Sequence, residues 1–228
     1  MSPPHPQASP CHAVTGMPTA PKRAVRLAPE ARRAQLLDAT LHLAAGHGFT
    51  GLTVESVARE AAVTRPVIYS LFGDLEALLL ALGEREEARA MGALEAVIPE
   101  DPGDRDPDDV LVDAVRGFLQ AVRDAPATWR LVLLPPAGSP PRLRERIARN
   151  REAVALRITG LLDWGLARRG GPAGLDHPLL ARLLIAAADD AARLMLADAA
   201  AYPPERLAAA ARGLLGLLPP TTPTGSAG

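Results

Sequence analysis

Between Phe49 and Leu79 the chain reads FTGLTVESVAREAAVTRPVIYSLFGDLEALL, and this stretch constrains the fold more than any other. Thr53 is a good N-cap, because its hydroxyl can accept from a first-turn N–H, and Glu55 complements the positive helix end. Val54, Val57 and Ala58 then fall on one face, and Ala58 is small where two helices must cross. Ala61, Ala62 and Val63 form a turn. A second helix opens at Thr64, read as its cap, with Pro66 in the first turn where no helical hydrogen bond is lost. Ile68, Leu71 and Phe72 point inward, leaving Arg65, Pro66, Val67 and Tyr69 outward. A small residue, a turn residue and two apolar residues at Ala58, Ala62, Val63 and Ile68 meet the packing needs of a helix-turn-helix. That unit sets its second helix into the DNA major groove. A plain helical hairpin without a DNA role is the alternative.

The remaining chain must therefore be helical too. Ala and Leu dominate an apolar fraction of 48%, aromatics are only 3%, and alternating β-branched runs are missing. The net charge of −1 conceals an asymmetry: seven Lys/Arg face four Asp/Glu up to Phe72, and eighteen face twenty-two beyond it. A mildly basic front and an acidic body give modest support for a polyanion partner at the N-terminal end. Cys11 is the only cysteine, which excludes a disulfide framework and a Cys-based metal site and suits a reducing cytoplasm. The first residues lack an early positive charge and an apolar core of roughly 7–15 residues, so no signal peptide is expected. No apolar run approaches the ~18 residues of a membrane span.

Taken in order, residues 1–21 are Pro-, Ser-, Thr- and Ala-rich and are expected to be a disordered tail. Lys22, Arg23 and Arg26 form a basic cluster that is either a solvated tail or a DNA-backbone arm. A first helix runs from Pro29 to about Gly46, with a buried stripe at Leu36, Ala39, Thr40 and Leu43 and stop signals at Gly46 and Gly48. His42 and His47 are five residues apart and cannot share a helix face as metal ligands. Asp74 caps a long helix to about Ala96, with Leu78, Leu79, Leu82 and Met91 inside. The acidic, Pro-rich run 99–109 reads as a solvated loop without the ligand spacing of an EF-hand.

Further helices are expected over about 108–124 and 126–134, then, after a Pro-rich break, over 141–168, 176–200 and 204–218. The 141–168 helix is expected to place Leu143, Ile147, Val154, Ile158, Leu161, Leu162 and Trp164 inside. Its arginines (Arg142, Arg144, Arg146, Arg149 and Arg151) read as a solvated face interleaved with Glu145 and Glu152 rather than a second nucleic-acid patch. Asp189 and Arg193 read as an i,i+4 pair, with an interface-registering role for Asp189 as the sharper alternative. Phe118, Trp129 and Trp164 are the pocket candidates, as the large side chains among small ones, although core packing accounts for them equally well. No Gly-rich phosphate loop, HExxH, GxSxG or Cys/His pair is present, so no enzyme, cofactor or metal is expected.

The segment GFTGLTVESVAREAAVTRPVIYSLFGDLEALL resembles the N-terminal DNA-binding region of the TetR family of bacterial transcriptional regulators. The resemblance is carried by Gly48-Phe49, Thr53, Val57-Ala58, Val63-Thr64, Tyr69, Phe72-Gly73, Glu76 and Leu78, and with the preceding helix it covers about fifty residues. It implies that Thr53 and Tyr69 bond phosphates, and that Thr64, Arg65, Pro66 and Val67 reach base edges. Arg65 is then the direct reader of guanine, and Pro66 or Val67 packs on a thymine methyl. Two positions depart from the family pattern: Ala62 stands at a turn position normally held by Gly, and Leu75 where a phosphate-binding Lys is common.

The fold this implies is all-α, with about nine helices. Its parts are a three-helix helix-turn-helix DNA-binding domain over 22–73, a helical ligand-binding and dimerisation domain over 74–218, and a disordered tail over 219–228. The implied function is a cytoplasmic, homodimeric, sequence-specific regulator of double-stranded DNA, paired through the helices at 176–200 and 204–218 and binding a palindromic operator. It would most often be a repressor released by a small, largely apolar effector. A ligand-independent architectural DNA-binding protein, and a helical enzyme or carrier with an incidental helix-turn-helix, are the alternatives.

Overall fold

The computed structural model describes residues 27–134, 141–170 and 174–217, and within them the chain is all helix and connection. The helices are α1 (Pro29–His47), α2 (Val54–Glu60), α3 (Arg65–Phe72), α4 (Leu75–Val97), α5 (Pro107–Asp124), α6 (Pro126–Leu133), α7 (Pro141–Arg169), α8 (His177–Ala197) and α9 (Pro204–Gly216). The expected tails and the cluster Lys22, Arg23 and Arg26 lie outside the described residues. Among the described residues no single helix is long and apolar enough to cross a membrane.

Two apolar cores organise the chain. The first joins Leu36 and Leu37 of α1, Val57 and Ala58 of α2 and Ile68 of α3 to Leu78, Leu79 and Leu82 of α4. It extends to Leu131 of α6 and to Leu143 and Ile147 of α7, so the head is seated on the body. The second gathers Ala90, Phe118, Leu119, Val122, Trp129, Leu133, Ala192 and Met195. α4 passes through both. Between its two apolar sections it buries Gly83, Glu86 and Glu87, so the linking helix carries a polar joint between two greasy ones.

The two carboxylates of that joint are paired, as buried charge requires, while Arg85 Nη2 is buried without a hydrogen-bond partner. Glu86 is fully buried and accepts from Arg85 Nε at 2.6 Å, Arg89 Nη1 at 3.1 Å and Thr128 Oγ1 at 2.6 Å. Arg85 Nη1 also lies 2.7 Å from Asp38 Oδ1 on α1. Glu87 accepts from Arg146 Nε of α7 at 2.6 Å and from Asn150 Nδ2.

Several expectations are corrected by the packing. Gly46 lies inside α1, and Gly48, at φ 74°, ends it. Leu43 and Met91 are only half-buried; α1 buries Leu36, Ala39 and Thr40 as expected, and Leu37 and Ala44 besides. On α7 only Leu143, Ile147 and Ala155 are buried; Val154, Ile158, Leu161, Leu162 and Trp164 are half-buried. Its arginines do more than solvate a face: Arg146 reaches Glu84 and Glu87 on α4, and Arg151 lies 2.7 Å from Asp189 on α8. Asp189 is buried, and Arg193 is its more distant partner at 3.8 Å, so the i,i+4 pair is secondary to a clamp between α7 and α8. The acidic run is likewise engaged: Asp106 caps α5, Asp108 meets Arg169 at 2.8 Å, and Asp109 meets Arg212 at 2.6 Å.

Candidate nucleic-acid interface

The head is built by caps and one strained turn. Thr53 and Ser56 form a reciprocal capping box, each hydroxyl accepting the other's backbone N–H at 3.1 and 3.0 Å. α2 ends in a Schellman motif: Val63 N bonds Ala58 O at 2.9 Å and Ala62 N bonds Arg59 O at 3.2 Å. Closing it forces Ala62 to φ 51°, and among the described residues no other non-glycine has positive φ. Gln35 Nε2 of α1 donates to Ala61 O at 2.8 Å, tying the turn to the first helix. The sequence offered no signal for that contact, since Gln35 sits among other polar residues on the helix surface.

α3 then projects from the head. Ile68 is its fully buried anchor, while Thr64, Arg65, Pro66, Tyr69 and Ser70 are exposed. Phe72 is half-buried rather than a core residue, and the Arg33 guanidinium lies 4.4 Å above its ring. Val67 is also half-buried and packs against the first core beside Leu71, one turn away. It is therefore not fully outward, and Pro66 is the freer apolar surface. Thr64 occupies the N-cap position with extended backbone, but its side chain makes no cap hydrogen bond. The reason is local: Pro66 has no N–H to give, and Val67 N bonds the Thr64 carbonyl at 3.0 Å. The expected cap is thus replaced by a free hydroxyl on the exposed tip.

The tip also holds a partner that the sequence reading missed. Arg65 Nη1 donates to Glu55 Oε1 of α2 at 2.7 Å, and both side chains remain about 60% exposed. This hydrogen bond, more than any other influence, holds the Glu55 carboxyl below its ordinary range. Ten residues separate the two in sequence, so helix periodicity alone could not pair them. Leu75 is half-buried and packs on the first core, so it contributes apolar contact where a lysine would offer charge.

The pocket candidates do not converge. Phe118 and Trp129 pack edge to face at 5.1 Å in the second core. Trp164 stands apart on α7, with Arg168 stacked 5.1 Å from its ring. A cleft of about 250 Å³ lies between α7 and α8, lined by Arg151, Arg182, Asp189 and Arg193 with Ala155 and Ile185. Among the described residues no cluster of three or more His, Cys, Asp or Glu side chains could hold a metal.

An exposed helix tip on a capped helix-turn-helix, seated on a helical body, defines the class: a helix-turn-helix head with an all-helical second unit. Residues 36–82 match the family described as bacterial regulatory proteins, tetR family. Over 50 residues the chain is 46% identical to the HTH-type transcriptional regulator BetI of Paraburkholderia phytofirmans, a match spanning 22% of this chain and about a quarter (26%) of that relative. The fold as a whole is similar to a TetR-like transcriptional regulator from Rhodococcus sp. RHA1, with a TM-score of 0.67 and 25% identity over 84% of this chain and 100% of that one. It is also similar to the transcriptional regulator FadR of Bacillus subtilis, solved in complex with stearoyl-CoA, with a TM-score of 0.62 and 19% identity over 80% of this chain and 96% of that one. The head at residues 36–82 thus matches the tetR-family model, and the fold as a whole is similar to that of TetR-like regulators.

Proposed function

We propose that the chain is a sequence-specific transcriptional regulator that binds a palindromic double-stranded operator as a homodimer, and that it is a repressor released by a small, largely apolar effector. The observation that carries this reading is the α3 tip: Thr64, Arg65 and Pro66 stand exposed together while Ile68 pins the helix from beneath. Thr53 and Tyr69 flank the tip as exposed hydroxyls suited to phosphate oxygens. Arg65 is the reader of guanine, Pro66 the better thymine-methyl contact, and Thr64 and Val67 complete the surface. The basic segment Lys22, Arg23 and Arg26 would follow the DNA backbone.

Pairing is assigned to α8 and α9, where Leu179, Leu183, Leu214 and, at the C-terminal cap of α9, Leu217 are each more than half exposed. A two-fold pair presents two heads to half-sites about 34–36 Å apart, so operator symmetry follows from protein symmetry. The effector is assigned to the second core around Phe118 and Trp129, with Trp164 peripheral to it. The similarity to FadR favours a ligand with an acyl chain. Because α4 traverses both cores, a ligand that favours one packing of the second core moves the helix that supports the head. The proposed domain boundary therefore falls at α4, with 22–73 reading DNA and 74–218 sensing and pairing.

Selection of bound fragments from the host's genomic DNA tests this directly. Enrichment of a palindromic site, and its loss from the bound pool when long-chain acyl thioesters are added, is the expected result. Salt-sensitive binding without any enriched site would instead mark an architectural DNA-binding protein.

A further inference from the structure

Glu55 is a carboxylate on the surface assigned to the phosphates, where a negative charge is repelled. It stands at the second position of α2, beside the Thr53 cap, and its Oε1 accepts from Arg65 Nη1 at 2.7 Å. The arginine's Nη1 is thus committed to the carboxylate. The bond to Glu55 is made from Nη1 and not from the Nε–Nη2 edge, which carries two parallel N–H donors of the spacing that fits guanine O6 and N7. An arginine without such a brace has several rotamers, and its guanidinium binds any phosphate within reach.

We propose that Glu55 is a specificity-determining positioning residue: its carboxylate braces Arg65 in the rotamer that reads guanine and keeps that guanidinium off the DNA backbone. The proposal rests on the reading of Arg65 as a base contact. The Glu55 carboxyl is held below its usual range chiefly by the hydrogen bond from Arg65, so the brace is charged at neutral pH. Both side chains are exposed, so their removal leaves the head core intact.

The test uses the full chain, its Glu55→Ala, Glu55→Gln and Arg65→Ala variants and the Arg65→Ala/Glu55→Ala double variant. Each is titrated against the selected site, against that site with each guanine replaced, and against random duplex, over a range of salt. Glu55→Ala is expected to lose on the order of ten-fold discrimination at one guanine. Its binding to random duplex should be tighter, with a salt slope steeper by about one phosphate contact. Glu55→Gln, which keeps an acceptor without the charge and tests the same point should the alanine variant misfold, should fall between. In the Arg65→Ala background, Glu55→Ala should cause no further loss of discrimination. If Arg65→Ala abolishes discrimination but Glu55→Ala and Glu55→Gln leave it unchanged, or if the two losses simply add, the brace is overturned and the base contact stands. If Arg65→Ala alters no base preference, the underlying reading fails instead.

Discussion

Thr128 Oγ1 donates a 2.6 Å hydrogen bond to Glu86 Oε2, and neither residue is more than 4% exposed. This bond ties α6 to α4 at the level where α4 passes from the first apolar core to the second. On its other oxygen, Glu86 receives Arg85, which also reaches Asp38 on α1. Head, linking helix and body therefore share one polar chain: Asp38, Arg85, Glu86, Thr128.

Removing a member of that chain strands its partners. Glu86→Ala leaves buried Thr128 without its acceptor, and leaves Arg85, only 17% exposed in its side chain, with Asp38 as its remaining carboxylate. A buried pair broken on one side typically costs about 3–5 kcal/mol. Thr128→Val keeps the shape and removes one charge-assisted hydrogen bond, which costs about 1.5–3 kcal/mol. Urea unfolding should show both losses, and the double variant should be less destabilised than their sum. Strict additivity would mean that the bond couples nothing.

Ala62 stores strain in the turn between α2 and α3. A left-handed conformation costs an L-residue about 1–2 kcal/mol, while glycine adopts it freely but gives up about 0.4–1 kcal/mol through the unfolded chain. Ala62→Gly should therefore stabilise the protein by about 0.5–1 kcal/mol, read as a higher thermal midpoint, with the Schellman hydrogen bonds of Ala62 and Val63 retained. A lower midpoint would show that the turn relaxes away from φ 51° in solution.

Arg65 and Tyr69 should fail differently. Arg65→Ala is expected to cost about 1–3 kcal/mol at the operator and to relax one base position. Tyr69→Phe removes a neutral hydroxyl from an exposed ring, so it should weaken specific and random DNA alike by about 0.5–1.5 kcal/mol without altering the salt slope. Titration of both variants against operator and random duplex separates the two roles.

Leu75 marks where the head lacks a family charge. Its side chain lies half-buried against the first core, at the start of α4 where Asp74 accepts from Ala77 N at 2.8 Å. A lysine there can keep its aliphatic stem on the core and extend its ammonium outward. Leu75→Lys is expected to tighten binding to all duplexes and to steepen the salt slope by about one contact, without changing base preference. An unchanged slope would place that helix end away from the phosphates.

Much of this arrangement was readable from residue patterns, because helices and caps are local. Ala58, Ala62, Val63 and Ile68 specified the helix-turn-helix, and the acidic caps Asp74 and Asp176 marked where α4 and α8 begin. What escaped was set by pairings across the chain. Glu86 and Glu87 sit in a charged run, GEREEARA, that reads as solvated, yet they continue the stripe of Leu79, Leu82 and Gly83 by one turn and are buried with it. The stripe's own period was the available signal. Nothing comparable foretold Arg151 beside Asp189, or Glu55 beside Arg65, since those partners lie 38 and ten residues apart on different helices.

The C-terminal segment leaves a row of leucines that the other described residues do not cover. Leu179 and Leu183 are 54% and 59% exposed on α8, Leu214 is 65% exposed on α9, and Leu217, just past its end, is 75% exposed. Burying a leucine fully is worth about 1.5–3 kcal/mol, so four of them form a strong incentive to pair with a like surface. Charged replacements at Leu183 and Leu214 should then oppose each other across a two-fold axis while leaving each chain folded. Leu183→Glu/Leu214→Glu is expected to sediment as a monomer with an unchanged helical signal. It should bind a half-site as the unaltered chain does and lose the extra affinity for the full palindrome. A dimer that survives both substitutions would put the pairing surface elsewhere on the body.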